Sequence, residues 1–552
     1  MDYPEVAVGA ILSGSARRFG PQPALHYYGR ELTFAQLHER AAAFAQALLE
    51  AGIGRGAVVT LHLPNCPQYA IAYYGTLMAG ATFSPANPLL PPADLAAQLA
   101  DCGAVAAVTW ARAAPALVAA LPHTRIRLVL ATDRAQAIDP GAAVTVPGAV
   151  DFEAFHADAP AVPPDVELDV RADLAHLAYT GGTTGRSKGV RLPHRNVVVN
   201  TLQSACWGSG SVPELDGSGG LVLRQVEPPQ ERPVRLGTGR AVTVTPWFHA
   251  MGTIGGMNVP LLRGDTLVLH DRFEPGAYLA DAERFRVTTM GGAPPLFAAL
   301  LRHPDLATRD LSSVRTITSG AAPMPLGMIE ALRARFGPDV VIAEGYGLTE
   351  VTMVATQAPM NRSGVRKPGT VGPPVDDTEV RLVDPAATDL EPLPPGEPGE
   401  VCIRGPQVMA GYADRPEETA AVLVDGWLRT GDIGALDGDG YLSIIDRKKD
   451  MLLYKGYNVY PRELEELLHA RPGVAAAAVV GRPDPVAGEL PVAFVVAPGL
   501  HPPDATSLME AVNAQVLPYK RLREVHLVDE IPVSAAGKVL KRALRDRLTP
   551  PG

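Results

Sequence analysis

Alternating β-rich runs and helical segments fill most of this chain, and no other feature limits its fold so strongly. AVVTLHL at 57–63 is rich in β-branched residues, and QYAIAYYGTLMAGA at 68–81 has the apolar spacing of a helix. The alternation resumes at 104–132 and again at 265–347. Because strands that alternate with helices pair in parallel and are covered by those helices, we expect an α/β fold.

The pattern changes after residue 395 to short strand-like runs, among them GEVCIRG, GYLSIIDR and DMLLYKGYNVYP. PRELEELLHARPGV at 461–474 is helical, and two further strand-like runs follow it. We therefore expect a large N-terminal domain with a β-subdomain and a small, mobile α+β C-terminal domain. The predicted limits are 1–445 for the large domain, 446–450 for a charged hinge and 451–552 for the small domain.

Length and charge narrow the class of protein. A chain of 552 residues exceeds what one hydrophobic core usually organises. Its net charge of −10 argues against a nucleic-acid partner. Four cysteines without a C-x-x-C pair suit reduced thiols, and neither a signal peptide nor a long uninterrupted apolar run is visible. These features predict a soluble cytoplasmic protein without a transmembrane segment, either a monomer or a homodimer.

The stretch YTGGTTGRSKGV at 179–190 combines glycines, hydroxyl side chains and one lysine. Glycines let backbone N–H groups turn towards a ligand, and hydroxyls and an ammonium group add donors, so the composition favours a phosphate. The ordinary P-loop pattern is excluded, because Ser187 stands where its second glycine belongs and Gly189 follows Lys188. A surface turn without a ligand remains the alternative on these residues alone.

Five further motifs follow in order: PWFHAMG, EGYGLTE, DGWLRTGDIG, DRKKDMLLYKGYNVYP and PVSAAGKVLKR. Together with the glycine-rich loop they resemble the acyl-CoA synthetases of the adenylate-forming superfamily, and most closely the fatty-acid:CoA ligases. The resemblance covers nearly the whole chain. It implies that a carboxylate attacks the α-phosphate of ATP to give acyl-adenylate and pyrophosphate, and that the thiol of coenzyme A then takes the acyl group.

The resemblance also implies roles for individual residues. Glu350 would bind Mg²⁺ and act with Thr349 and His249, Asp432 would accept hydrogen bonds from ribose, and Arg447 would lie near ribose and the α-phosphate. Lys538 would bridge the substrate carboxylate and the α-phosphate. The residues implied for ATP and CoA binding are Thr180, Gly181, Gly182, Thr183, Thr184, Gly185, Lys188, Ala321, Glu344, Gly345, Tyr346, Asp432, Arg447, Lys455, Gly456 and Tyr457.

The expected acyl pocket is rich in small residues, which suits a hydrophobic acid of medium or large size. His249 borders this pocket in the resemblance, although a core histidine held by backbone groups is an open alternative. The candidate pocket residues are Trp247, His249, Met251, Gly291, Gly292, Ala293, Gly320, Ala322 and Gly347.

Two half-reactions imply two orientations of the small domain. In the resemblance Lys449 occupies the hinge, and rotation about it exchanges the face that carries Lys538 for the 454–457 face that lines the thiol channel. The acceptor can be CoA or the phosphopantetheine of a carrier protein. A ligase specialised for the thioester half-reaction and a nucleotide-binding relative without activity are further alternatives.

The segment at 208–240 is longer than relatives have between these motifs, since 55 residues separate His194 from His249. Two strand-like pieces within it, LVLRQV and PVRLG, predict a hairpin that covers the substrate site as a flap. A tolerated surface insertion is the alternative, because long loops cost little free energy.

Overall fold

A computed structural model describes residues 1–180, 187–394, 396–455, 457–498, 503–534 and 539–548. Its α-helices are α1 Gly9–Phe19, α2 Phe34–Glu50, α3 Pro67–Met78, α4 Pro92–Cys102, α5 Ala114–Ala120, α6 Arg134–Ile138, α7 Phe152–His156, α8 His194–Ser209, α9 Val259–Arg263, α10 Pro275–Arg284, α11 Pro294–Arg302, α12 Asp305–Thr308, α13 Leu326–Phe336, α14 Pro416–Val422, α15 Pro461–His469, α16 Ala505–Asn513 and α17 Lys541–Asp546. A π-helix covers Met251–Asn258, and short 3₁₀ turns cover Leu121–His123, Thr349–Val351 and Pro518–Lys520.

The strands, numbered along the chain, are β1 Pro23–Tyr27, β2 Arg30–Thr33, β3 Val58–His62, β4 Thr82–Pro85, β5 Ala106–Trp110, β6 Leu128–Thr132, β7 Val150–Asp151, β8 Leu174–Tyr179, β9 Gly189–Pro193, β10 Ser211–Leu215, β11 Leu221–Gln225, β12 Arg240–Thr243, β13 Thr266–Leu269, β14 Thr289–Gly292, β15 Thr316–Ser319, β16 Val341–Tyr346, β17 Thr356–Gln357, β18 Glu379–Val383, β19 Gly399–Arg404, β20 Leu423–Val424, β21 Trp427–Leu436, β22 Leu442–Arg447, β23 Leu452–Tyr454, β24 Tyr457–Val459, β25 Ala476–Asp484, β26 Gly488–Val496 and β27 Glu524–Leu527.

The largest sheet of the described residues has the order β7-β6-β5-β3-β4-β8-β9, and all of its pairs are parallel except β8–β9. A second sheet joins β14, β15 and β16 in parallel. A third joins β12, β13 and β1, also in parallel. Helices connect these strands, as expected for parallel pairing. The predicted α/β class is therefore confirmed.

Helix α2 shows how the local sequence sets these elements. The Thr33 hydroxyl accepts from the Gln36 backbone N–H, and the Gln36 side chain accepts from the Thr33 N–H, which forms a capping box. Helix α3 is buried along its whole length. Two of its tyrosines anchor the segment around the π-helix, because the Tyr69 hydroxyl donates to the Trp247 carbonyl and the Tyr74 hydroxyl donates to Asn258.

Antiparallel pairing dominates the rest of the chain. Strands β18, β19, β20, β21 and β22 form a sheet in which every pair is antiparallel. The final sheet has the strand order β24-β23-β26-β25, and β27 pairs with β26. Helices α15, α16 and α17 lie in the same part of the sequence. Leu464 and Leu468, one helical turn apart on α15, are fully buried in the core of this region. The limits drawn above for the large domain, the hinge and the small domain stay a prediction.

The 208–240 segment contains a hairpin, but its strands are not the two predicted ones. LVLRQV forms β11 as predicted, yet its partner is β10 at 211–215, and PVRLG at 233–237 forms no strand. The five-residue turn between β10 and β11 makes their pairing local. The connection from β11 to PVRLG holds two prolines and PVRLG begins with a third, and prolines donate no backbone hydrogen bond.

The hairpin is fastened to α1 instead of standing free. Leu221 and Leu223 are buried in the main core, and Arg17 forms an ion pair with Asp216 in the turn at 2.7 Å. A methyl group on Gly14 of α1 would lie 2.0 Å from the Leu221 carbonyl oxygen. The helix and the strand therefore meet at a distance that only glycine permits.

This contact gives a stability prediction. Gly14→Ala should lower the free energy of unfolding by roughly 1–3 kcal/mol, since the backbone of β11 must move to admit the methyl group. Gly217→Ala in the same hairpin is the matched control, because a methyl group there meets no atom within 4 Å. Thermal unfolding of both variants makes the comparison. Equal midpoints would show that the helix and the hairpin are not packed as described.

Candidate active site

The two ends of the glycine-rich loop are held together. Strands β8 and β9 pair Tyr179 with Gly189, and the Thr180 N–H donates to the Lys188 carbonyl at 3.1 Å. The Ser187 hydroxyl donates to the Thr180 carbonyl. The predicted phosphate ligands Gly181, Gly182, Thr183, Thr184 and Gly185 lie outside the described residues.

Lys188, which follows this loop, is connected to Glu350 through the side chain of Tyr412. Its ammonium group lies 4.8 Å from the centre of the Tyr412 ring, and the Tyr412 hydroxyl donates to Glu350 Oε1 at 2.9 Å. Glu350 lies in the 3₁₀ turn after β16, beside the half-buried Thr349. Burial raises the pKa of Glu350, while Tyr412 and Lys188 favour its charged form. A largely buried carboxyl group therefore lies close to Lys188, at the end of the glycine-rich loop.

Asp432 lies close enough to Glu350 for their charges to interact. The Tyr346 hydroxyl donates to Asp432 Oδ2 at 2.6 Å, and Arg447 Nε lies 3.5 Å from Asp432 Oδ1. The β21–β22 register sets this second contact by placing Asp432 opposite Arg447. Burial raises the pKa of Asp432, and Arg447 opposes that effect. The fold thus brings together three residues from separate motifs of the sequence.

Glu344, a predicted nucleotide contact, also shapes the backbone next to β16. It is buried, and its Oε1 accepts from the Met324 N–H at 2.9 Å, which holds the turn at 321–324. Within this turn Ala321 adopts φ +66°, a left-handed backbone that non-glycine residues rarely adopt. Such strained backbones cluster at functional sites. Glu344 thus holds this turn beside β16, where Gly345 pairs with Gln357, and its predicted contact with the nucleotide stays a prediction.

The expected acyl pocket lies at the carboxyl ends of β14, β15 and β16, where the register sets Gly291 opposite Thr318. A methyl group on Gly320 would lie 3.5 Å from the Met251 sulfur and 3.5 Å from the Gly345 carbonyl oxygen, which is ordinary contact distance. Methyl groups on Gly291 and Gly292 would be tighter, at 3.1 and 3.0 Å from their nearest neighbours. Of these three glycines, only Gly320 would accept a methyl group without displacing a neighbour.

The remaining pocket candidates divide into two groups. Ala293 and Ala322 are partly exposed beside these strand ends. Burial lowers the pKa of His249, so that its ring is neutral at pH 7. Trp247, by contrast, is fully buried in the core, and Gly347 lies against the backbone of Met353. Backbone atoms fill the side-chain direction of Gly347, although the residue itself is exposed, and the pocket roles of both residues stay a prediction.

A second aromatic and basic cluster lies in the C-terminal sheet region. The rings of Tyr457 and Tyr519 stack with their centres 4.7 Å apart, and Tyr457 is 58% exposed. Arg523 lies over the Tyr454 ring at 5.0 Å, and Lys455, with φ +50°, lies near the same ring at 5.7 Å. We call these five residues the tyrosine–arginine patch. Gly456 and Lys538 lie outside the described residues.

The hinge candidate Lys449 is about half buried. Burial lowers its pKa, and the positive charge of the neighbouring Arg447 lowers it further. The backbone beside it is well connected, because Asp446 accepts from the Arg462 N–H at 3.0 Å and Asp450 pairs with Arg545 at 2.5 Å. Both contacts join the predicted hinge to helices of the C-terminal region.

Comparison with known proteins places this geometry in a family. The profile of the AMP-binding enzymes matches residues 12–413, and that of the AMP-binding enzyme C-terminal domain matches residues 463–538. The chain belongs to the AMP-binding enzyme family. It is 33% identical to a long-chain-fatty-acid–CoA ligase of Bacillus subtilis, with 100% of this chain and 96% of the relative covered. It is 37% identical to 4-coumarate–CoA ligase 2 of Oryza sativa, with 94% and 88% covered.

Solved structures agree with this membership. An anthranilate CoA ligase in complex with anthranoyl-AMP has a TM-score of 0.85 at 25% identity, with 99% of this chain and 98% of that chain covered. ATP-bound MatB from Rhodopseudomonas palustris has a TM-score of 0.84 at 27% identity, with 98% and 99% covered. The predicted resemblance to adenylate-forming ligases is confirmed. The chain is an acid–thiol ligase of the AMP-forming type that uses ATP and CoA.

Sequence reasoning missed three residues that lie around Lys188 and Glu350. All three come from the segment GYADRPEET: Tyr412 holds Glu350, Glu418 pairs with Lys188, and Arg415 pairs with Glu418. No spacing rule marks them, because 62 residues separate Tyr412 from Glu350. Their tertiary neighbours alone reveal them.

The raised pKa of Glu350 predicts a pH effect on ATP binding. The folded-state pKa lies above the ordinary value of 4.5, so the carboxyl group takes up its proton at a higher pH than an exposed glutamate does. The affinity for ATP with Mg²⁺ should therefore fall as the pH drops through that raised value. Because ATP itself titrates, the measurement is the difference between the pH profiles of the wild type and Glu350→Gln. Profiles of the two proteins that stay parallel on both sides of pH 4.5 would contradict the prediction.

Proposed function

We propose that this enzyme activates a hydrophobic carboxylic acid of medium or large size, either a fatty acid or an aromatic acid. The observation that carries the proposal is the run of glycine and alanine residues at the carboxyl ends of β14 and β15, with the Met251 sulfur 3.5 Å from where a methyl group on Gly320 would lie. An apolar sulfur and bare backbone favour an apolar substituent and offer no charged partner to a polar one. The relatives named above act on long-chain fatty acids and on 4-coumarate, and both acids are large and largely apolar.

The nucleotide would lie between the motifs that the fold brings together. Asp432 would accept hydrogen bonds from the ribose hydroxyls, and Arg447 would donate to ribose and the α-phosphate. Lys188 and the loop at 180–188 would bind the β- and γ-phosphates. The short contacts of Asp432 with Tyr346 and Arg447 support this assignment, since they fix the carboxylate before ATP arrives.

The side chains present also fit Mg²⁺. Within the described ranges no three Asp, Glu, His or Cys side chains gather into a metal-binding group. Magnesium in nucleotide enzymes typically takes one or two carboxylates and completes its shell with phosphates and water. Glu350 would hold the ion, because Tyr412 occupies only one of its carboxylate oxygens. When bound, the ion would neutralise charge on the phosphates.

Lys538 would supply the positive charge that lets a carboxylate approach the α-phosphate. His249 would border the acyl group as a neutral ring, which suits an apolar substrate. Thr349 would lie beside Glu350 at the phosphates. Rotation about Lys449 would then replace the Lys538 face with the 454–457 face.

The tyrosine–arginine patch supports a place for the nucleotide end of CoA. Exposed aromatic rings stack on bases, and arginine and lysine bind phosphates. Tyr457 and Tyr519 would take the adenine, and Lys455 and Arg523 would take its phosphates. A carrier protein, whose phosphopantetheine lacks that adenosine end, would leave this patch unused.

The test of this proposal is a panel of acids that runs from acetate to decanoate and includes substituted cinnamates, with mass spectrometric detection of acyl-adenylate and acyl-CoA. We expect turnover to rise with apolar size. Equal turnover of acetate and decanoate would contradict the hydrophobic pocket. Acyl-adenylate that reached a carrier protein and not CoA would contradict the acceptor.

The cellular setting is proposed as cytoplasmic. Among the described helices none is long and apolar enough to cross a bilayer. The four cysteines are buried and unpaired, which suits a reducing compartment. A monomer or a homodimer remains the proposed assembly. The 208–240 segment would act as a fixed wall near the site more readily than as a flap, since its hairpin is packed on α1.

A further inference from the structure

The proposed phosphate-binding lysine already has a partner. The Lys188 ammonium group forms an ion pair with the Glu418 carboxylate on α14. The Arg415 guanidinium group lies 3.4 Å from Glu418 Oε1 and 3.4 Å from Asp101 Oδ1. Asp101 Oδ2 in turn accepts a hydrogen bond from the Tyr179 hydroxyl at 2.7 Å. Since Tyr179 precedes the glycine-rich loop and Lys188 follows it, this network ties α14 to both ends of the loop.

The ion pair is placed where a ligand can replace it. The side chains of Lys188 and Glu418 are 36% and 40% exposed, so water and salt weaken their attraction. The Tyr412 ring beneath the ammonium group provides a contact that does not depend on Glu418. Lys188 can therefore change its anionic partner while its stem stays over the ring.

A carboxylate at this position acts against phosphates in two ways. It occupies the ammonium group that they need, and it repels their negative charge over a short distance. Arg415 cannot fully offset this, because it is shared with Asp101. Both effects apply to ATP on entry and to pyrophosphate on release.

We propose that Glu418 is the resting partner of Lys188 and competes with phosphates for it, so that Glu418 weakens the retention of pyrophosphate at some cost in ATP affinity. The inference rests on the proposed role of Lys188 and adds a positioning residue to it. The exchange moves one ammonium group between two anions and involves no covalent step.

The first test is Glu418→Gln, which removes the charge and keeps the side-chain size. Affinities for ATP with Mg²⁺ and for pyrophosphate, measured by calorimetry and by product inhibition, should both rise about two- to tenfold. Release of pyrophosphate should slow, and the gain in affinity should shrink as salt is added. Asp414→Asn is the matched control, since Asp414 is exposed, has φ +52° and Asn tolerates that backbone.

A double-mutant cycle with Lys188→Met separates the inference from its basis. If Lys188 binds phosphates, Lys188→Met should weaken ATP binding, and Glu418→Gln should gain much less in that background. Unchanged ATP affinity in Lys188→Met would overturn the phosphate role and, with it, this inference. Weakened binding in Lys188→Met together with unchanged or weaker binding in Glu418→Gln would overturn this inference alone. Glu418→Ala repeats the comparison should the glutamine side chain form a new hydrogen bond.

Discussion

Lys538→Ala is expected to slow adenylate formation by about a hundredfold or more, because a preorganised positive charge is then missing where two anions meet. Thioester formation from supplied acyl-adenylate should be largely spared, since the carboxylate has already reacted with the α-phosphate. The measurement is pyrophosphate release and CoA-thioester yield, with and without synthetic acyl-adenylate.

Arg542→Ala is the matched control for Lys538→Ala. It also removes one positive charge, from an exposed position on α17. Both half-reactions should continue at wild-type rates in this variant. If Lys538→Ala abolished thioester formation from supplied adenylate and left pyrophosphate release intact, the assignment of Lys538 would be wrong.

Gly320→Leu should reduce kcat/KM for decanoate by roughly ten- to a hundredfold, because the leucine side chain would occupy space that the acyl chain needs. The first added carbon has room at contact distance from Met251 and Gly345, but the remaining carbons must enter the space proposed for the acyl chain. Acetate and propionate need less of that space and should be affected less.

Gly327→Leu on α13 controls for the general effect of replacing glycine with leucine, since a methyl group there meets no atom within 4 Å. The readout is kcat/KM across the same panel of acids. Equal losses for short and long acids in Gly320→Leu would place the acyl chain elsewhere.

Much of the fold follows from periodicity in the sequence. The apolar spacing at 68–81 and the β-branched run at 57–63 correspond to α3 and β3 within a few residues. Local spacing carries that information because helices and strands bury one face or alternate sides. It does not carry the choice of partner, and for this reason the hairpin was predicted with 233–237 and forms instead with 211–215.

The candidate site divides in the same way. Motifs identified Glu350, Asp432 and Arg447, and the structure brings them together. Trp247 stands in such a motif as well, yet it is fully buried, because an aromatic side chain beside a functional segment can equally well support it from behind. Tyr412 and Glu418 act through contacts across the fold, and no pattern in a single sequence reports such contacts.

The packing of α1 on the 221–225 strand has a consequence for synthesis of the chain. Arg18 contacts Leu223, which lies 205 residues further along the chain. Ser15 hydrogen-bonds to the carbonyl of Leu261, which lies 246 residues further along. At a ribosomal rate of about 5–20 residues per second, roughly 10–50 seconds pass between the synthesis of α1 and that of these two partners. The contacts of α1 with these two segments can therefore form only after residue 261 has been made, so the first helix of the chain completes its packing long after its own synthesis.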